Sequence, residues 1–183
     1  DTIASGPAAP DCSTSRRAMD IATQYNLLIS PAVCECLERE TPKQLRNVQN
    51  QIVGSVRQLC DAAMEKAKCF GYETVFLTDN LCCEASQAGR EMACLLKQHA
   101  NDGKKLAFIA GGETIVHVKG NGLGGRNQEL ALSAAAGIEG SADMAVFSVG
   151  SDGTDGPTDA AGGYSDGDTA AELRANGLEV FDV

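Results

Sequence analysis

Two loops in this 183-residue chain carry residue types and spacings suited to chemistry on an anion and a metal. The first reads Gly120-Asn121-Gly122-Leu123-Gly124-Gly125-Arg126-Asn127 and lies between a β-branched run and an apolar helical pattern. Glycines let the backbone turn sharply and approach a ligand, and the unpaired N–H groups of a helix's first turn attract an anion. Gly122, Gly124 and Gly125 are therefore the candidate phosphate or anion turn, and Arg126 adds a planar fork for a phosphate or carboxylate. The competing reading is a packing turn with a solvated Arg126. The second loop, SDGTDGPTD over residues 151–159, places Asp152, Asp155 and Asp159 close enough to hold a divalent cation or handle a proton. Its bland alternative is a solvated surface turn. A third small-residue turn, Gly111-Gly112-Glu113-Thr114, sets Glu113 either against a substrate hydroxyl or in support of the turn itself.

Gly120, Gly122 and Gly125 also spell GxGxxG, so a dinucleotide-binding oxidoreductase module is a rival. A dinucleotide site wants one acid after the next strand to hold a ribose, whereas here several aspartates follow Val149. The acidic loop is not an EF-hand, because Thr154 and Pro157 stand where alternate ligands are needed. His99 and His117 are the only histidines and have no third partner at ligand spacing, which disfavours Ser-His-Asp or Cys-His hydrolysis. In α/β sheets ligands bind beyond the carboxyl ends of strands, and both loops leave such ends. Parallel strands would bring Arg126 and the aspartates to one crevice.

The elements that must position these loops can be read from periodicity and capping. Ser13 caps a first helix with Ala18, Ile21, Ala22 and Tyr25 on one face, and Pro31 opens a second with Val33, Cys34 and Leu37. Residues 51–54 form a short strand, and residues 55–68 a helix that Gly71 ends. Residues 74–77 are a strand, and residues 84–99 an amphipathic helix with Ala88, Met92, Leu95 and Leu96 on one side. Strands at 106–110 and 114–118, a helix at 125–136 and a strand at 144–149 follow. This alternation predicts an α/β fold, three layers α/β/α around a mostly parallel sheet, after a short helical segment. Three residues between 110 and 114 cannot make a parallel crossover, so the sheet should be mixed.

Composition restricts the partners. Fifteen Lys and Arg against 25 Asp and Glu give a net charge of −10, which repels nucleic acid and anionic membrane. No apolar run approaches the roughly 20 residues of a spanning helix. The eight cysteines contain no CxxC pair, and a chain with 43% hydrophobic residues can build a core without disulfides, so free thiols are expected. Asp1 is no initiator, and the chain stops in an apolar, strand-like run at residues 179–183. It reads as a piece of a longer protein.

Taken in order, Gly111-Gly112-Glu113-Thr114, then Gly120 to Asn127 with Gln128-Glu129-Leu130-Ala131-Leu132, then SDGTDGPTDAAG from Ser151 resemble the carboxy-terminal (MOFRL) domain of glycerate 2-kinases. DTIASGPAAPD at Asp1 to Asp11 is similar to a signature near the end of that family's first conserved region. The resemblance implies transfer of the γ-phosphoryl of ATP to a hydroxyl of D-glycerate, with Mg²⁺, in a cleft between two α/β domains. Residues 1–47 would be the helical tail of the amino-terminal kinase domain. Residues 48–183 would be the MOFRL-like domain, truncated at its end. The resemblance implies that Arg126 binds the substrate carboxylate or a phosphate, that Glu113, Thr114 and Asn127 contact substrate, and that Asp152 and Asp155 bind Mg²⁺ or accept the hydroxyl proton. The family's nucleotide loop and catalytic lysine lie upstream of Asp1, so the partner implied is an amino-terminal nucleotide-binding domain. A homo-oligomer and an intracellular location, cytoplasmic or mitochondrial, are further expectations. Ile115 stands where the family often has a second threonine, and Asn121 and Leu123 where it often has basic residues, so positive charge at the turn is reduced. A catalytically silent assembly domain is a second rival, in which the acidic loop is only a turn.

Overall fold

The computed structural model describes residues 8–49 and 51–180, which fall into two units, Asp1–Val53 and Gly54–Val183. Residues 1–7 of the DTIASGPAAPD motif and residues 181–183 of the apolar terminal run lie outside the described residues.

In the first unit, helix α1 spans Ser15–Gln24 and α2 spans Pro31–Leu37. The α1 cap is Thr14 rather than the expected Ser13: its hydroxyl accepts from the Arg17 N–H at 3.2 Å. Ser13 instead donates its own N–H to Asp11 at 2.8 Å. Ser30 caps α2 and Pro31 occupies its first turn, as the sequence predicts.

The second unit begins with α3 (Val56–Cys69), whose chain turns out at Gly71 into strand β1 (Glu73–Leu81). Helix α4 (Ala85–Gln98) leads to β2 (Leu106–Gly112), which pairs parallel to β1 from Glu73↔Leu106 to Leu81↔Gly112. After a long connection come α5 (Arg126–Ile138), β3 (Ala145–Val149), β4 (Gly162–Asp166) and α6 (Thr169–Ala175). Strands β3 and β4 pair antiparallel.

The α/β class holds, but among the described residues the strands form two separate two-stranded sheets, one parallel and one antiparallel, in place of the single mixed, mostly parallel sheet expected. Three local expectations give way. Residues 51–54 form no strand, and Ile52 and Val53 are 73% and 89% exposed: a short β-branched pair without a partner strand has nothing to pack on. Residues 114–118 do not turn back on β2. They run on past it, and Ile115 bridges Glu84 in the parallel sense. Strand β4 was not foreseen, because Gly162-Gly163-Tyr164-Ser165-Asp166 has poor strand propensity and owes its conformation to β3.

The core is built from small residues. Ala85, Ala88 and Ala93 of α4 meet Leu130, Ala134 and Ile138 of α5, with Val146 of β3 beneath. Met92 and Leu96 pack at its edge, so the predicted apolar face is rotated toward the alanines. Ser165 of β4 is fully buried, and its hydroxyl donates to the Ala131 carbonyl of α5 at 2.6 Å. Gly89 permits the close approach of α4 to α5: a Cβ there would overlap the Leu130 carbonyl oxygen and lie 3.0 Å from the Ser133 Cβ. Glycine to alanine inside a helix ordinarily stabilises by about 1 kcal/mol. Here Gly89→Ala is expected to destabilise by about 2 kcal/mol through overpacking, as read from urea unfolding. An unchanged or raised midpoint would contradict the α4–α5 packing.

None of the eight cysteines is paired, in line with expectation, and Cys60 is buried. Among the described residues no helix is long and apolar enough to cross a membrane.

Candidate active site

The turn that follows β2 is stitched to the β1–α4 junction by backbone hydrogen bonds. The N–H of Glu113 donates to the Leu81 carbonyl at 2.9 Å, and that of Ile115 to the Cys83 carbonyl at 3.0 Å. The Ala85 N–H, in the first turn of α4, donates to the Ile115 carbonyl at 2.9 Å. Thr114 is buried between these bonds. Glu113 points outward and pairs with Arg126, Oε1 to Nη2, at 3.1 Å. His117 Nε2 lies 3.1 Å from Glu84 Oε1, a second tether on the same connection. The residues between, Gly122 and Gly124 among them, are exposed.

Helix α5 starts from Gly125, an extended N-cap with no side chain of its own to serve the first turn. The acidic connection between β3 and β4 supplies that cap. Asp155 Oδ1 accepts from the Asn127 backbone N–H at 3.0 Å and the Asn127 Nδ2 at 2.9 Å. Its Oδ2 accepts from the Gln128 backbone N–H at 2.8 Å and the Gln128 Nε2 at 3.1 Å. A Cβ on Gly125 would overlap this carboxylate, which is why the cap residue is glycine.

The surrounding hydroxyls complete the arrangement. Ser148 at the end of β3 donates to Asn127 Oδ1 at 2.6 Å, which turns the amide nitrogen of Asn127 toward Asp155. Thr158 donates to the Asp155 carbonyl at 2.7 Å and accepts from Gln128 Nε2 at 3.0 Å. Asp155 is only 2% exposed. Burial by itself raises its carboxyl, but the backbone N–H groups and side-chain amides of Asn127 and Gln128 outweigh that and hold it below the usual carboxylate range.

Asp152 differs in every respect. It is exposed, and its Oδ1 accepts the Thr154 N–H at 3.1 Å within its own turn. Asp159 is exposed as well. Among the described residues no three His, Cys, Asp or Glu gather as a metal cluster.

A family model described as "MOFRL family" matches residues 106–183, the span that holds Glu113, Arg126, Asn127, Gln128, Asp152 and Asp155. The D-glycerate 2-kinase of Thermotoga maritima is 50% identical over 99% of the chain, which covers 44% of that relative. The MOFRL match lies in residues 106–183, and the similarity to this relative runs along nearly the whole chain. The Glycerate 2-kinase of Pyrococcus horikoshii is 35% identical over 100% of the chain and 45% of its own length. A crystal structure of glycerate kinase from Thermotoga maritima superposes with a TM-score of 0.83 at 48% identity, covering 99% of this chain and 45% of that one. The chain thus spans under half the length of each of these proteins.

Within the MOFRL region the structure brings Glu113, Arg126, Asn127 and Asp155 into one connected group, and Asp152 lies on the same loop as Asp155. Reading the sequence missed Gln128, Ser148 and Thr158. A signal existed: a glycine N-cap has no side-chain acceptor for the N–H groups of its own helix, so a distant acceptor had to take them.

Proposed function

We propose that the full-length protein containing this chain is a glycerate 2-kinase, transferring a phosphoryl group from ATP to D-glycerate, and that this chain supplies the carboxy-terminal part of the site. The observation that carries the reading is Arg126, a guanidinium on the first turn of α5 that stays 47% exposed while Glu113 orients it. It occurs in a chain half identical to a D-glycerate 2-kinase along nearly its whole length. Phosphoryl transfer asks little covalent chemistry of a protein and much positioned positive charge. A planar fork suits the substrate carboxylate or a phosphate oxygen, and the ion pair with Glu113 limits the conformations Arg126 samples before either arrives.

Mg²⁺ would neutralise phosphate charge, and such ions are commonly held by one or two carboxylates together with the phosphates themselves. Asp152 fits that requirement or that of a proton acceptor for the attacking hydroxyl: it is exposed and carries only one hydrogen bond from its own loop. The turn at Gly122 and Gly124 is an open backbone stretch beside Arg126 that suits an incoming anion.

The test is direct. The full-length protein, given ATP, Mg²⁺ and D-glycerate, is expected to form a phosphoglycerate, and the chain of 183 residues alone is not. A full-length protein without turnover would overturn the kinase reading. Micromolar binding of a nicotinamide cofactor would favour the dinucleotide rival, and a silent full-length protein that neither turns over nor binds either nucleotide would favour the assembly role.

A further inference from the structure

We infer that Asp155 is a positioning residue, an internal anion that locks the start of α5 to the acidic loop, and not a ligand for Mg²⁺ or the acceptor of the substrate proton. An ionised carboxylate offers about four acceptor sites on its two oxygens. Asn127 and Gln128 fill them, each with its backbone N–H and its side-chain amide, at 2.8 to 3.1 Å. A cation on Asp155 would have to displace donors that belong to the helix's own first turn, and those N–H groups repel a cation. The site is also closed from the far side, since Ser148 and Thr158 fix the Asn127 and Gln128 amides in the donating orientation. Metal ligands carry lone pairs toward an opening, whereas this carboxylate is buried under N–H groups.

The helix N-terminus expected to receive a substrate anion already holds one. Its purpose in that case is geometric. Arg126 occupies the first position of α5, immediately before the two residues that Asp155 grips, so the carboxylate sets where the guanidinium begins. The same bonds fix the end of the loop that starts with Asp152, three residues earlier. One buried carboxylate hydrogen-bonded to a helix terminus thereby sets the spacing between the positive and the negative member of the proposed site. The catalytic part of this inference rests on the kinase reading; the clamp itself does not.

The test uses the full-length protein with Asp155→Asn, Gln128→Ala and Arg126→Ala, and the doubles Asp155→Asn/Arg126→Ala and Asp155→Asn/Gln128→Ala. With active wild type, Asp155→Asn is expected to lower kcat/KM by about 10- to 100-fold, the usual range for a residue supporting a reacting group, while the Mg²⁺ concentration for half-maximal rate moves less than about twofold. Gln128→Ala, the milder change, should shift kcat/KM in the same direction with the same Mg²⁺ requirement. If Asp155 acts through Arg126, its double with Arg126→Ala is no slower than Arg126→Ala alone. A rise of about tenfold or more in the Mg²⁺ requirement of Asp155→Asn would overturn the inference, as would fully multiplicative losses in that double. Inactive wild type would overturn the kinase reading instead, and the clamp would then be judged by thermal unfolding of the same proteins. There Asp155→Asn and Gln128→Ala should each lower the midpoint, with their double no worse than Asp155→Asn, and additive losses would overturn the clamp.

Discussion

Replacing Asp155 by alanine is expected to destabilise the second unit by about 3 kcal/mol and to lower the thermal midpoint by roughly 6–12 °C. The change removes the acceptor for four donors, two of them first-turn N–H groups of α5 whose helix offers no substitute. Loss of an ordinary N-cap costs about 1 kcal/mol, but this cap is charged, buried and shared by two residues, so the larger figure follows. The effect depends on pH with a definite sign. The folded-state pKa of Asp155 is lowered, so its stabilisation is complete above the unfolded value of about 3.9 and is lost as pH falls through the folded one. Wild type and Asp155→Ala should therefore differ fully at neutral pH and converge in acid. Calorimetric scans from about pH 7 down to pH 2 check this, and a constant offset across that range would show that the carboxylate's charge is not what stabilises α5.

Arg126→Ala should show the opposite division between stability and activity. In the full-length protein kcat/KM is expected to fall about 10²- to 10³-fold, the loss of roughly 2.7–4 kcal/mol that follows removal of one positioned charge or donor. Stability should change by less than about 1 kcal/mol, because the side-chain bond lost among the described residues is an exposed ion pair with side chains 47% and 73% exposed. The variant also leaves Glu113 as an uncompensated carboxylate near the proposed anion site, which adds repulsion to the loss of attraction. Arg126→Lys keeps the charge but not the fork and should recover only part of the rate. Initial-rate kinetics with varied glycerate, beside a denaturation curve for each protein, separate the two effects. Near wild-type kcat/KM in Arg126→Ala would remove this residue from the site, and with it the observation on which the proposed function stands.

These two substitutions also mark how far the sequence could be read. Ser30 and Pro31 announce α2, and Gly71 announces the end of α3, because capping and chain reversal are local requirements met by residue type. The β-branched run at 74–77 and the apolar spacing across 84–99 predict β1 and α4 for the same reason. The glycine-rich turn, Arg126 at a helix start and the aspartate-rich loop were visible as types and spacing, and their order carried the resemblance to MOFRL-domain glycerate 2-kinases, whose family model matches residues 106–183.

The tertiary structure alone decided how those pieces share their hydrogen bonds. Asp152 and Asp155 are the same residue type three positions apart, yet one is exposed on its turn and the other is buried under four donors from a helix 27 residues away. Residues 114–118 have strand composition, but the backbone N–H and carbonyl of Ile115 are taken by the β1–α4 junction, whereas the glycine-rich β4 becomes a strand because β3 offers it a partner. Local propensity concerns what a segment can do by itself. A buried acceptor or an edge of backbone N–H groups must be satisfied by whatever the fold brings near, and that pairing is a property of positions far apart in the chain.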